Sequence, residues 1–145
     1  MNNNCGFGAK FGKYKIAVFD GACMHPLLRP GDLLFILEIP PRRIKIGELI
    51  CFYKKGTFVC HRLIYKRVKD GKLLFFEKAD NARVNGSYID PGTVIGKAVK
   101  ILRGEKEIKL KERLIKRYTH VLKTLFLKSI IYVFAKKKKM RRGEA

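Results

Sequence analysis

Acidic residues are scarce in this sequence of 145 residues, in which 12 Asp and Glu stand against 33 Lys and Arg. The formal net charge at pH 7 is +21, and the cationic residues are densest after residue 104. An excess of this size predicts an anionic partner, which can be a membrane surface, a nucleic acid or an acidic protein. Hydrophobic residues make up 47% of the chain, which is enough for one domain with a core.

Cysteine pairs with metal-binding spacing are absent as well. The 4 cysteines form no C-x-x-C motif, which argues against a structural zinc site. A disulfide framework is not indicated in a chain with an ample core, so we expect a reducing compartment, either the cytoplasm or the cytoplasmic side of a membrane. Residues 1–15 contain no apolar h-region, so we expect neither a signal peptide nor an N-terminal membrane anchor.

Short apolar segments separated by turns are the main pattern of the first two thirds of the chain. They are rich in β-branched and aromatic residues, which predicts strands in an all-β barrel or sandwich-like sheet. The predicted strands are 13–19, 33–39, 49–53, 57–68, 72–78 and 93–102. The pattern predicts a flexible N-terminus over 1–12 and a β domain over 13–103.

The hydrophobic period changes in the last third of the chain. Apolar residues from Ile108 to Val133 recur at spacings of 3, 4 and 7 with Lys and Arg between them, which predicts a basic amphipathic helix over 104–135. The lysine-rich residues 136–145 are expected to form a disordered tail. Lys123 and Lys128 interrupt the most apolar part, and a cation near mid-bilayer costs ~2.5–3.5 kcal/mol, so a membrane span is disfavoured.

Three roles remain open for this helix. It can lie in the interface of an anionic membrane, which fits its period and the cationic run that follows. Its apolar stripe can instead pack on the β domain. Nucleic acid is the competing partner of the cationic tail, although the sequence contains no recognised nucleic-acid-binding module.

The segment GACMHP at 21–26 holds the first candidate site. Gly21 and Ala22 are small, so the chain can turn sharply before Cys23 and a substrate can approach its thiol. The backbone N–H of Cys23 can then stabilise an oxyanion. A glycine- and proline-bounded loop with a buried cysteine would show the same pattern without any chemistry.

A histidine and an aspartate are the candidate partners of this thiol. His61 lies in a predicted strand, where it is either a structural residue or, if it faces Cys23, the base that deprotonates the thiol. Asp80 follows the predicted strand 72–78 and can orient His61 as the carboxylate of a Ser-His-Asp triad does. An Asp-Asn pair at this position is also an ordinary turn former.

The order of these motifs resembles the signal peptidase I family, and most closely its archaeal and endoplasmic-reticulum branch, which uses a His base. The family pattern runs G-x-S-M-x-P, G-D, G-D, H-R, K-G-D-N and G-K/R. This chain has GACMHP at 21–26, GD at 31–32, GE at 47–48, HR at 61–62, KADN at 78–81 and GK at 96–97. The resemblance covers residues 18–99 and implies a mainly β signal-peptidase-like domain. The self-cleaving SOS repressors share that fold but have Lys where His61 stands.

The sequence departs from the family pattern at three places. Cys23 replaces the nucleophilic Ser, Ala79 replaces a Gly, and Asn85 and Gly86 occupy the positions of a second Asp. Asn85 can orient His61 as a neutral acceptor, which would give a Cys-His-Asn arrangement suited to a thiolate–imidazolium pair. The departures therefore either compensate each other or mark a domain that has lost activity.

The resemblance implies peptide-bond hydrolysis through an acyl-enzyme, without metal or cofactor. Cys23 would be the nucleophile and His61 the general base, with Asp80 or Asn85 orienting the ring. The substrate would be an extended peptide paired to a strand edge, in a groove lined by Gly21, Ala22, Met24 and Pro26. The alternatives are an inactive relative that binds peptides and a basic nucleic-acid-binding β-barrel.

Overall fold

Nine strands and one helix make up the fold in the computed structural model, which describes residues 7–82, 85–110 and 114–141. The strands form one antiparallel sheet. They are β1 Phe7–Phe11, β2 Tyr14–Phe19, β3 Asp32–Leu37, β4 Leu49–Lys54, β5 Thr57–Lys69, β6 Lys72–Lys78, β7 Gly86–Ile89, β8 Val94–Arg103 and β9 Lys106–Lys109. The helix α1 is Leu114–Arg141. The predicted class, mainly β with a C-terminal helix, is confirmed.

The N-terminal segment differs from the prediction. Residues 7–11, which we expected to be flexible, form β1 and pair with β2. Gly12 closes this hairpin with a φ of 58°, a conformation that favours glycine. Residues 1–6 of the predicted flexible segment lie outside the described residues.

The C-terminal boundaries also differ from the prediction. Residues 106–109, expected in the helix, form β9 because Gly104 turns the chain back along β8 and Ile108 pairs with Ile101. The helix begins only at Leu114 and continues to Arg141, through most of the segment expected to be disordered. Lysine has a good helix propensity, and no glycine or proline interrupts this stretch. No helix in the described ranges is long and apolar enough to cross a membrane.

Strand β5 changes its partner along its length, which creates an open edge in the sheet. The strand order is β1-β2-β3-β8-β4-β5-β6-β7, with β9 paired to β8. Residues 57–62 of β5 pair with β4, whereas residues 62–69 pair with β6. Among the described residues, therefore, no strand lies beside residues 57–61 on the side that faces away from β4.

Two cores lie on opposite faces of the central strands. Phe58 and Cys60 point into one core together with residues of β2, β3 and β8. Val59 and Leu63 point into the other, together with Phe52 and Phe75. His61 lies between Val59 and Leu63 in this alternation and therefore shares their face of the sheet.

Two short motifs of the first half of the chain are turns fixed by ion pairs. Gly31 has a φ of 89°, and the buried Asp32 after it binds Arg103, with an Arg103 Nη2–Asp32 Oδ2 distance of 2.7 Å. Gly47 has a φ of 87°, and Glu48 after it binds Lys97 with an Nζ–Oε1 distance of 2.7 Å. These motifs thus hold the sheet that carries the site and lie outside its chemistry.

Candidate active site

The loop between β2 and β3 presents Cys23, and two buried side chains fix it to the core. Met24 and Leu28 are fully buried among residues of β2, β3 and β8. The expectation that Met24 lines a substrate groove is therefore wrong: its side chain is core, and its sulfur accepts a hydrogen bond of 3.4 Å from the Asp80 N–H. Cys23 is half-buried, and Ala22 and Pro26 are exposed.

Asn81 holds this loop against the end of β6. Its side-chain Nδ2 donates to the Ala22 carbonyl oxygen at 2.9 Å, and its backbone N–H donates to the Cys23 carbonyl oxygen at 3.2 Å. Asn81 thus fixes the backbone of both Ala22 and Cys23. A Cβ at Gly21 would make a tight contact of 3.2 Å with the Phe19 ring and an ordinary contact of 3.7 Å with Cys23 Sγ.

The Cys23 thiol lies at the open edge of β5, beside His61. Its sulfur is 3.9 Å from the Cys60 carbonyl oxygen, and its interaction with the His61 ring contributes to the raised pKa of His61. The edge of the Phe52 ring packs near this ring, with centroids 6.1 Å apart. The two residues that the sequence singled out therefore lie close enough to interact electrostatically.

Glu77 binds the other side of the His61 ring. Its Oε2 contacts His61 Nδ1, which leaves Nε2 as the ring nitrogen for the thiol. Sequence reasoning missed Glu77 and expected Asp80 or Asn85 here, which is wrong. Asn85 is exposed on the approach to β7, and the position on Nδ1 that it was expected to occupy is taken by Glu77.

Asp80 has a different partner. Both of its carboxylate oxygens accept hydrogen bonds of 2.7 Å from the Arg62 guanidinium, whose third contact is the Gly47 carbonyl oxygen at 2.7 Å. Arg62 and Asp80 are both largely buried. This fork–fork pair ties β5 to the segment that holds the Cys23 loop, so Asp80 supports the site through structure.

A hydroxyl and an ammonium group fix the second oxygen of Glu77. Ser87, which pairs with Glu77 across the β6–β7 ladder, donates its hydroxyl to Oε1. Lys54 Nζ lies 2.7 Å from Ser87 Oγ and 3.6 Å from Glu77 Oε1. Lys54, Ser87, Glu77 and His61 therefore form a continuous series of polar contacts, and His61 in turn interacts with Cys23.

The electrostatics of the two central groups favour an ion pair. Burial opposes protonation of His61, but hydrogen bonds with Cys23 and Glu77 and the charge of Glu77 outweigh it and raise the pKa of His61 to about 9. Burial also opposes ionisation of Glu77, but its bonds with His61 and Ser87 and the charges of His61 and Lys54 lower its pKa. At neutral pH, His61 is therefore an imidazolium beside a carboxylate.

The alternation of side chains between the two faces of β6 is the sequence pattern from which Glu77 could have been predicted. Leu73, Phe75 and Glu77 lie on one face of a strand, and Phe75 is fully buried there. A carboxylate on the apolar face of a strand is stable only when a cation or several hydrogen-bond donors contact it.

Nothing in the described residues forms a cluster of three or more groups that could bind a metal ion.

No protein-family model matches the chain. The chain is similar to the proteins named signal peptidase complex catalytic subunit SEC11C from Canis lupus familiaris, Homo sapiens and Mus musculus. Each is 30% identical over 94 residues, covering 57% of this chain and 48% of the relative. The chain thus spans about half the length of the curated relatives it matches. This similarity supports the resemblance to the signal peptidase I family.

Proposed function

We propose that this chain is a signal-peptidase-like endopeptidase that cleaves extended peptides through an acyl-enzyme on Cys23. The observation that carries the proposal is the position of His61 between the Cys23 thiol and the Glu77 carboxylate. A nucleophile, a base and a group that orients the base are the components of triad chemistry, whatever the order of the residues in the chain.

In the proposed reaction, His61 holds the proton of Cys23 as an imidazolium, and the Cys23 thiolate attacks the carbonyl carbon of the scissile bond. The resulting oxyanion accepts a hydrogen bond from the Cys23 backbone N–H. The intermediate collapses to a thioester as the C–N bond breaks, and His61 gives its proton to the departing amine. Water then attacks the thioester while His61 takes a proton from it, which releases the acid and restores the thiol. Glu77 stabilises the imidazolium that forms in both halves.

The open edge of β5 is the proposed binding site for the peptide backbone. Arg62 pairs with Lys78 on this side of β5, and the Cys60 carbonyl points to the same side, toward Cys23. Because backbone groups alternate between the two edges of a strand, Phe58 presents its N–H and C=O to this edge as well. An extended peptide added here would run past the thiol, and its backbone hydrogen bonds would supply affinity without sequence specificity. Ala22 and Pro26 border the approach.

The test uses the full chain and an activated ester, p-nitrophenyl acetate, because acylation of a thiol needs no knowledge of the natural substrate. A burst of nitrophenolate and an acetyl group on Cys23 by mass spectrometry are expected. Cys23→Ala should abolish both, whereas Cys51→Ala, at a fully buried thiol, should leave both in place. A library of peptides with small side chains is then tested for cleavage. If Cys23 is acylated by the ester but no peptide of the library is cleaved, the chain is better explained as an inactive peptide-binding relative.

A further inference from the structure

Among the described side chains of the helix α1, residues 121–136, those that contact the domain lie on one narrow face. Val121 and Thr124 are buried, and Val121 packs against Ile64 and Phe76. Lys128 is directed back to the same face, where its ammonium lies 3.4 Å from the centroid of the Phe76 ring. Successive helical residues advance by about 100°, so these three side chains share one side of the helix.

The apolar stripe of α1 lies beside this contact face and extends around the helix to the opposite side, and its residues are exposed to solvent. We call the residues Leu122, Leu125, Phe126, Ile130 and Val133 the outer stripe. Their relative exposures are 63%, 40%, 67%, 36% and 50%. The stripe therefore does not pack on the β domain, although it has the spacing of a buried helix face.

The described side chains of the distal part of the helix, residues 129–136, are exposed on all sides. From Ser129 to Lys136 every side chain is exposed, including Ile131, Tyr132 and Phe134. Residues 129–141 extend over about 20 Å at 1.5 Å per residue. Large apolar side chains on every side of a helix are stable only where something apolar covers them.

The charge of the helix indicates what covers it. Leu114–Arg141 contains no Asp or Glu, and lysines at 136–139 directly follow the apolar segment. Lys128 is one of the two lysines that interrupt the apolar segment, and its position over Phe76 removes it from the outer stripe, whereas Lys123 is exposed. Apolar residues beside a cationic run fit an anionic lipid surface, where the side chains enter the acyl boundary and the lysines meet the headgroups.

A basic cleft of about 650 Å³ borders the same helix at Val121. Arg42, Arg43 and Lys45 line it and are exposed, and Lys66 lines it from β5. The cleft adds cationic groups next to the point where the helix leaves the domain, so the attraction to anionic headgroups does not rest on the helix alone.

We propose that the outer stripe and the distal segment of α1 form a docking surface for anionic phospholipid bilayers, with the basic cleft as a second headgroup contact. The helix lies along the interface and does not span the membrane. This surface is separate from the Cys23–His61–Glu77 site, and the proposal does not depend on the peptidase function. Nucleic acid is the weaker alternative, because phosphate contacts would leave the outer stripe exposed.

Vesicle flotation of the full chain tests the proposal. The protein should float with vesicles of phosphatidylcholine and phosphatidylglycerol in equal parts and remain behind with phosphatidylcholine alone. The triple variant Leu122→Gln, Phe126→Gln, Val133→Gln keeps all charges and should lose at least tenfold in partitioning. The matched control replaces three exposed apolar residues of the β domain, Phe11, Val18 and Val68, by Gln and should partition like the wild type.

A second variant separates the cleft from the helix. Arg42→Gln, Arg43→Gln, Lys45→Gln should lower partitioning several-fold, whereas the same change at the exposed residues Lys10, Lys69 and Lys106 should lower it less. Equal losses would overturn the role of the cleft.

Four results would overturn the membrane surface itself. The first is that the stripe variant binds vesicles as well as the wild type, and the second is that the wild type does not bind anionic vesicles. The third is that the wild type binds RNA in a salt-sensitive manner and does not bind vesicles. The fourth is that the wild type is a dimer in solution and the stripe variant is a monomer. Circular dichroism of each variant shows whether it retains the fold.

Discussion

Nδ1 of His61 on β5 lies against Oε2 of Glu77 on β6, diagonally across the ladder in which Leu63 faces Glu77. The neighbouring register pair, Arg62 and Lys78, points to the other face of the sheet. Two acids of one short segment therefore bind two different partners. Glu77 binds the imidazole of His61, and Asp80 binds the guanidinium of Arg62. This division makes distinct predictions for each acid.

Glu77→Gln should reduce acylation of Cys23 by about a hundredfold or more while the protein stays folded. The amide cannot stabilise an imidazolium as a carboxylate does, and it can hold the ring in the wrong tautomer. The rate of the nitrophenolate burst measures the effect. Glu107→Gln, which alters an exposed pair with Lys100, is the control and should leave the rate unchanged. A wild-type rate in Glu77→Gln would remove Glu77 from the triad.

Asp80→Ala should act on stability, with a loss of about 3–5 kcal/mol in the free energy of unfolding. The change leaves the largely buried guanidinium of Arg62 without its carboxylate, and an uncompensated buried charge is costly. Urea denaturation followed by circular dichroism measures it. The exposed pair of Lys100 and Glu107 offers the contrast, since Glu107→Ala should cost at most about 1 kcal/mol.

Ser87→Ala should weaken the site without unfolding the protein. The hydroxyl of Ser87 holds Oε1 of Glu77 and also contacts Lys54 at 2.7 Å. Its loss lets the carboxylate rotate, and groups that orient a catalytic residue are typically worth about 10-fold to 100-fold in activity. Ser87→Thr, which restores a hydroxyl, should recover part of the acylation rate. Equal rates for the Ala and Thr variants at equal stability would show that the hydroxyl has no positioning role.

The pKa of His61 predicts a pH dependence of stability. Since its pKa is raised from 6.5 to about 9 in the folded chain, the unfolded chain loses this proton first as the pH rises. The stabilising contribution is therefore fully present below about pH 6.5 and is lost as the pH passes through about 9. Urea denaturation between these two pH values should show the decline, and His61→Gln should remove that part of it. A decline of the same size in His61→Gln would assign it to other groups.

The sequence could predict the strands well because their ends are marked locally. Glycines, prolines and lysines bound the apolar runs, so the six predicted strands fall within one or two residues of β2, β3, β4, β5, β6 and β8. The short strands β1, β7 and β9 lack such runs and exist because longer neighbours offer them an edge. The direction of the apolar stripe of α1 was also not predictable, since its period alone does not say which side meets the domain.

The candidate site was predictable only in part, because the sequence pattern does not say which residues meet across the sheet. Cys23 and His61 lie in motifs whose order is visible in the chain. The choice among Glu77, Asp80 and Asn85 depends on which face of β6 each residue occupies and on the partner that Arg62 takes. Both are properties of the sheet register, and the bulge in the β5–β6 ladder between Leu63 and Tyr65 shifts that register by one residue.

Alkylation by iodoacetamide offers the most direct test of the Cys23–His61 pair. The thiolate is the species that reacts with iodoacetamide, and the proposed mechanism needs Cys23 in that form. Cys23 is half-buried at the open edge of β5, whereas Cys51 and Cys60 are buried. The hydrogen bond with Cys51 and, next, burial raise the pKa of Cys60. At neutral pH, mass spectrometry should therefore find Cys23 modified well before Cys51 and Cys60. His61→Ala should slow the modification of Cys23 by about tenfold and leave the other two sites unchanged. If Cys23 reacts at the same rate with and without His61, the hydrogen bond between them has no chemical effect, and the chain is better understood as a relative that binds peptides without cutting them.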